Sequence, residues 1–325
     1  MSIATGNFRE KMNRWGRERR PFFFMMDFDL RQPVVVPLDE INPEEILYDI
    51  NGHRNFAEKQ FSDNLVNFTV IPVSRMRYCQ AFSLVQQHIR RGDTFLLNLT
   101  FPSRVESNLH LKQIFFHSNA KYKVYFQDRF VCFSPEIFVQ TADNIIRSFP
   151  MKGTIDARQE NARAKLLASE KELAEHFTIV DLIRNDLSGV AGKVKVARFR
   201  YIDHIKTNKN EILQMSSEII GQIREEYLHA PGDLLLKMLP AGSISGAPKK
   251  KTLEIIRQVE GYERGFYTGI MGIFDGEGID SGVMIRFIEK TPDGLVYKSG
   301  GGITAQSLCE EEYNELIEKI YVPFT

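Results

Sequence analysis

Apolar residues along the 325-residue chain fall in short runs, separated by glycine, proline and acidic turns rather than by long polar tracts. Residues 22–36 and 66–73, rich in Phe, Val and Ile, predict strands. Ser74 predicts a helix start, after which Tyr78, Phe82, Val85 and Ile89 fall on one stripe until Gly92 ends it. A strand over 94–101 and a meander of several strands over 121–150 follow. Residues 159–187 predict one long helix that is polar and alanine-rich to His176. It then turns almost wholly apolar through Ile183, so it enters the interior as it proceeds. Further on, 233–239 predicts a short helix, and Pro248 suits the first position of another over 248–260. Asp275-Gly276 and Pro292-Asp-Gly294 then mark turns between strands. Hairpins rather than strand–helix alternation dominate the second half. The expected class is therefore α+β, with large, mainly antiparallel sheets flanked by helices. No repeat, low-complexity tract or long linker divides the chain, which predicts a single domain over 1–325.

Composition narrows the function without naming it. Hydrophobic residues make up 43% and charged residues 26%, values of a globular protein. Lys plus Arg and Asp plus Glu stand at 42 each, so no global field favours nucleic acid or a membrane surface. Cys79, Cys132 and Cys309 lack any Cys-x-x-Cys spacing. That suggests a reducing, cytoplasmic setting and predicts three small buried hydrophobes rather than a disulfide or zinc framework. The run Phe22-Phe-Phe-Met-Met26 after Arg17–Arg20 imitates a signal peptide but ends at Asp27; it predicts a strand, and no transmembrane span is expected.

Several side chains carry chemistry. Glu172 and Glu175 share one helix face where that helix turns apolar, and Glu312 and Glu315 repeat the spacing on the last helix, with Lys319 one turn beyond. Ser307 with Glu310 predicts a capping box there. Two Glu-x-x-Glu pairs on separate helices could converge on Mg²⁺, although an acidic solvated face is the ordinary use of such spacing. A strand over 282–289 puts Arg286 on the same side as Met284 and Ile288. An arginine there wants a partner, either an internal carboxylate or a ligand. Gly300, Gly301 and Gly302 follow a strand over 295–298 and predict a loop where a backbone can approach an anion. Residues 240–249 superficially suggest a phosphate loop but lack the Walker spacing. Lys152 lies in a turn with Gly153, where a desolvated lysine beside other cations would lose its proton and become nucleophilic. Together these features read as a site for a multiply anionic small molecule and a divalent cation.

The motifs Ser134-Pro-Glu136, Met151-Lys-Gly-Thr154, Val180-Asp-Leu-Ile-Arg-Asn-Asp186, Gly242-Ser-Ile-Ser-Gly-Ala-Pro-Lys249, Ile285-Arg286 and Gly300-Gly-Gly-Ile303 occur in that order. From about Ser74 onward the chain resembles the chorismate-utilising enzymes, a family including anthranilate, aminodeoxychorismate, isochorismate and salicylate synthases; residues 1–73 form a short portion before it. The resemblance implies Glu175 and Glu315 as direct Mg²⁺ ligands, with Glu172 and Glu312 acting through water. It implies a chorismate pocket lined by Gly153, Thr154, Tyr267, Arg286, Gly300, Gly301, Gly302 and Lys319. Glu136 matches the family's general acid for the departing 4-hydroxyl. Lys152 stands where anthranilate synthases carry alanine, and Leu96 stands where isochorismate and salicylate synthases carry a water-activating lysine. The resemblance therefore implies amination of chorismate at ring carbon 4, in the p-aminobenzoate branch of folate synthesis. Ammonia would come from a separate glutamine amidotransferase subunit. The alternatives are an anthranilate synthase component I and a catalytically silent chorismate-binding subunit. Gln214-Met-Ser-Ser217 stands where many relatives have His-Leu-Val-Ser, and the short N-terminal portion implies no tryptophan-feedback site.

Overall fold

The computed structural model describes residues 3–57, 67–206 and 211–324. Two nine-stranded antiparallel sheets form its body. In hydrogen-bonded order, one runs Met151–Asp156, Glu211–Ile223, Ile145–Ser148, Ile137–Ala142, Ile279–Val283, Ile270–Phe274, Phe22–Met26 and Val34–Pro37, with Ala191–Lys206 also paired to Glu211–Ile223. The other runs Gly246–Ala247, Leu96–Ser107, Gly294–Ile303, Phe287–Thr291, Phe130–Ser134, Tyr122–Phe126, Ile46–Ile50 and His53–Arg54, with Phe68–Ile71 also paired to Leu96–Ser107.

The run Phe22–Met26 shows why this chain needs unbroken apolar strands as well as alternating ones. Its side chains alternate faces, and both faces are buried. Phe23 and Met25 join Tyr48, Val124, Phe130 and Phe287 of the other sheet, with the Phe23 and Tyr48 rings 5.2 Å apart. Phe22, Phe24 and Met26 face a second core that takes in the helices. Helices Arg75–Arg90, Lys249–Glu260 and Cys309–Glu318 pack on the strands around Leu96–Ser107 and Gly294–Ile303. Helix Glu170–Ser188 packs on Met151–Asp156, Ala191–Lys206 and Glu211–Ile223. Among the described residues no helix is long and apolar enough to cross a membrane.

Five expectations are corrected. The long helix is two, Ala162–Ala168 and Glu170–Ser188. Ser169 is extended between them, and its hydroxyl accepts from the Glu172 N–H, capping the second. The strand over 282–289 is also two, Ile279–Val283 and Phe287–Thr291, which belong to different sheets. Arg286 lies in the crossing, in the left-handed region at φ 55°, so strand periodicity does not decide its direction. The three glycines are no loop: Gly294–Ile303 continues through them, pairing Gly300, Gly301 and Gly302 with Thr100, Leu99 and Asn98. Ser307 makes no capping box, because the last helix starts after Leu308 and the Ser307 hydroxyl bonds the Glu312 carboxylate at 2.8 Å instead. Finally, Cys79 and Cys309 form a disulfide with Cα atoms 6.0 Å apart, tying helix Arg75–Arg90 to helix Cys309–Glu318. Only Cys132 is a buried free thiol, as expected for all three.

Candidate active site

A cavity of about 710 Å³ opens between the two sheets' adjoining edges and the helices above them, and every predicted site residue except Thr154 and Glu312 lines it. The Thr154 side chain lies outside the described residues. Its floor is the glycine strand. A Cβ on Gly300 would fall 2.4 Å from the Leu99 carbonyl oxygen, so only glycine lets the two strands approach. A Cβ on Gly301 would meet Glu312 Oε2 at 3.4 Å, Glu315 Oε1 at 3.6 Å and Lys319 Nζ at 3.6 Å. The charged ends of the last helix therefore converge over that peptide. Lys319 bonds the Gly300 carbonyl at 3.0 Å and pairs with Glu315 at 2.6 Å. Burial pulls its pKa down, and Glu315 only partly restores it.

The opposite wall is strand Met151–Asp156 under helix Glu170–Ser188, so Lys152 and Gly153 lie in an irregular stretch of strand rather than in the expected turn. Gly153 has φ 83°, and a Cβ there would lie 2.7 Å from Glu172 Oε2, so the glycine admits the carboxylate. Lys152 Nζ lies 2.8 Å from Glu175 Oε2. Burial alone would lower the Lys152 pKa, but Glu175, Glu315 and Glu172 together hold it above the ordinary lysine value. The lysine thus sits among carboxylates rather than cations, and in this arrangement it is an ammonium. Behind the same helix His176 is fully buried and shares a 2.7 Å hydrogen bond with Ser217, which fastens the helix to strand Glu211–Ile223.

At the far end the Arg286 guanidinium donates to the Lys319 carbonyl at 3.1 Å and lies 4.9 Å from the Tyr321 ring centroid. Its Nε is buried without a hydrogen-bond partner among the described residues. A carbonyl and a ring leave most of its charge available to an anion. Tyr267, 3% exposed, closes the wall beside it.

Glu136 follows strand Phe130–Ser134. Its N–H donates to the Ser134 hydroxyl at 3.1 Å, its carbonyl accepts from Val283 N–H at 3.0 Å, and its Oε1 accepts from the Ser243 hydroxyl at 2.8 Å. Burial raises its pKa, against the Ser243 bond and the charges of Lys319 and Arg286. A carboxyl whose pKa is raised by burial keeps its proton to higher pH than a solvated one, which suits it to donate a proton.

Whether these residues suit a divalent cation is decided by donor chemistry. Among the described residues no group of three or more His, Cys, Asp or Glu is assembled as a metal cage. Yet Glu312 Oε2 and Glu315 Oε1 both come within 3.6 Å of the point where a Cβ on Gly301 would stand, and the charges of Glu315 and Glu175 both act on Glu312, so carboxylates of the two acidic helices face one another. Hard carboxylate oxygens crowded in this way fit a hard cation such as Mg²⁺.

Two features were missed from the sequence. Ser243 was visible only as part of a motif. Lys249 of the same motif is no anion ligand: it bonds Asp186 Oδ1 at 2.9 Å and the Met238 carbonyl at 3.0 Å, while Asp186 Oδ2 accepts from Gly242 N–H. That pair clamps the segment to helix Glu170–Ser188. Leu96 also lines the cavity.

The fold and this cavity define the class: the chain belongs to the chorismate binding enzymes, whose family model matches residues 38–324. It is 50% identical over 317 residues to an uncharacterized PabA-like protein of Haemophilus influenzae, covering 98% of this chain and 96% of that one. It is 31% identical over 292 residues to aminodeoxychorismate synthase component 1 of Escherichia coli, covering 84% of this chain and 63% of that one. A crystal structure of anthranilate synthase component I from Streptococcus pneumoniae superimposes with a TM-score of 0.64 at 25% identity, covering 78% of this chain and 58% of that one. The chain thus spans about three fifths of those two longer proteins.

Proposed function

We propose that the chain is component I of an aminodeoxychorismate synthase, which replaces the 4-hydroxyl of chorismate by an amino group. The observation that carries this reading is Lys152, 2.8 Å from Glu175 inside the cavity, at the position where anthranilate synthases resemble this chain but carry alanine. Leu96, also in the cavity, is no base for adding water at ring carbon 2. Arg286 and Lys319 grip the carboxylates of the substrate, and the Gly301 peptide lets them come close. Once Lys152 has passed its ammonium proton to water, Glu136 gives its own proton to the 4-hydroxyl, which leaves as water while the Lys152 amine bonds ring carbon 2 and the ring double bonds shift. Ammonia then bonds carbon 4, the shift reverses, and Lys152 departs as the amine. Mg²⁺ held by Glu175 and Glu315, with Glu172 and Glu312 behind, would neutralise the ring carboxylate and draw on the charges that keep Lys152 protonated. Glutamine cannot supply the nitrogen through a cysteine nucleophile here, because Cys79 and Cys309 are bonded to each other and Cys132 is buried. A separate glutamine amidotransferase subunit would deliver the ammonia.

The test is product identification with purified chain, chorismate, Mg²⁺ and ammonium, then with glutamine in its place. 4-Amino-4-deoxychorismate from ammonium only, lost in excess chelator, is the expected result. Without ammonia, intact-mass measurement should show a chorismate-derived adduct that disappears in Lys152→Ala. Anthranilate as the product would move the chain to the anthranilate synthases, and no turnover would make it a silent binding subunit.

A further inference from the structure

We propose that Ser243 is a positioning residue that sets which oxygen of Glu136 carries the proton, an inference that rests on reading Glu136 as the general acid. Ser243 sits in the four-residue turn of helix Gly242–Ser245, and this segment is held at three points. Gly242 N–H is bound by Asp186 at 3.0 Å. The Ile244 carbonyl accepts from Arg264 Nη1 at 2.9 Å, and Arg264 is itself buried in a pair with Glu260. Gly246 and Ala247 pair with Leu97 and Leu96, and Gly246, at φ 131°, approaches so closely that a Cβ would lie 1.9 Å from the Leu96 carbonyl oxygen. The neighbouring Ser245 hydroxyl turns back to the Ala241 carbonyl, which leaves Ser243 as the hydroxyl of this turn that reaches the cavity acid.

A donor on so fixed a support makes the carboxyl come to it. With Ser243 donating to Oε1, that oxygen is the carbonyl of the protonated acid and the proton resides on Oε2, the oxygen from which it would pass to the leaving hydroxyl. As the C4–O bond breaks, the proton on Oε2 passes to the departing oxygen, and the carboxylate left behind already has a hydrogen bond in place. The other groups that bear on Glu136 do not set this choice. Lys319 and Arg286 act on it through charge, and the Tyr267 phenol stands nearby with its own pKa raised by burial. The Ser134 hydroxyl bonds the Glu136 main chain, not its carboxyl.

The test compares Ser243→Ala and Ser243→Thr with the wild type in two measurements on the full chain. The first is an NMR titration of the Glu136 carboxyl, identified by its loss in Glu136→Gln; it needs no turnover. Removing a donor that favours the ionised form should move the midpoint upward in Ser243→Ala and return it in Ser243→Thr. The second is the pH profile of kcat for chorismate amination at fixed free NH₃. Ser243→Ala should lower kcat by roughly one to two powers of ten, leave KM for chorismate nearly unchanged, and move the alkaline limb to higher pH. Ser243→Thr should restore all three. An unmoved midpoint in Ser243→Ala, a loss confined to KM, or a threonine variant as impaired as alanine would overturn the proposal. If the wild type fails to aminate chorismate, the functional reading falls, and the titration still decides whether Ser243 governs Glu136.

Discussion

Gly300 and Gly301 are neighbours on one strand, yet the same substitution should injure them in different ways. At Gly300 a new Cβ would sit 2.4 Å from the Leu99 carbonyl oxygen and 2.5 Å from Thr100 Cγ2. Both belong to the partner strand, which cannot withdraw without breaking the register Gly300↔Thr100. Overpacking of this kind costs about 3 kcal/mol. With an unfolding entropy of about 2.1 cal/mol/K per residue, the 325-residue chain loses stability at roughly 0.7 kcal/mol per degree, so Gly300→Ala should melt about 4 °C lower. At Gly301 the nearest atoms are 3.4 to 3.6 Å away, an ordinary contact. Alanine there also frees the strand of glycine's entropic cost, worth about 0.5–1 kcal/mol, so the melting temperature should hold or rise by about 1 °C. The added methyl instead projects among Glu312, Glu315 and Lys319, where an anionic ligand must approach the backbone. Losing about 1.4 kcal/mol there weakens chorismate binding tenfold. Calorimetric melting paired with binding titration separates the two variants. Gly301→Ala melting several degrees low, or Gly300→Ala melting like the wild type, would overturn this account of the two glycines.

Arg264→Met should be among the most damaging single changes, because it strands the Glu260 carboxylate at 1% exposure. A cost of about 3–5 kcal/mol is expected, with much of it recovered when Glu260→Met is added, and equal melting of the single and double variants would count against this account. A digest of native chain under non-reducing conditions should yield a peptide joining Cys79 to Cys309, while reduction should cost about 2–4 kcal/mol of stability. Alkylation of both thiols in the native, unreduced protein would contradict the pairing.

What the sequence made legible is what depends on neighbours in the chain. The stripe Tyr78, Phe82, Val85 and Ile89 and the hairpin at Asp275-Gly276 appear as expected, because a 3.6-residue or two-residue period and a turn are local properties. Arg286 was misjudged because nothing local says that the chain leaves one sheet for the other between Val283 and Phe287. The glycine triplet was misjudged for a related reason: its strand character comes from a partner some two hundred residues earlier, and glycine has no strand preference of its own. The disulfide joins residues 230 positions apart, a pairing that spacing cannot specify. The candidate site residues came from ordered motifs, and their mutual distances had to await the fold. Ser243 shows the remaining gap, since a motif marks a segment but not which of its two serines turns toward the acid.

The pairing of Gly294–Ile303 with Leu96–Ser107, and of Phe22–Met26 with Ile270–Phe274, also has a bearing on how the protein is made. Contacts between distant segments are slow to form, because a long loop must close before they reward it. On the ribosome the early strands wait with apolar faces uncovered while roughly two hundred further residues are added. The glycine floor and the helix that brings Glu315 and Lys319 come long after those early strands in the chain. A truncated or stalled chain therefore has no partial cavity with partial activity, only exposed strand edges that invite aggregation. The cavity closes only when strand Gly294–Ile303 is seated beside Leu96–Ser107 and the helix after it has followed.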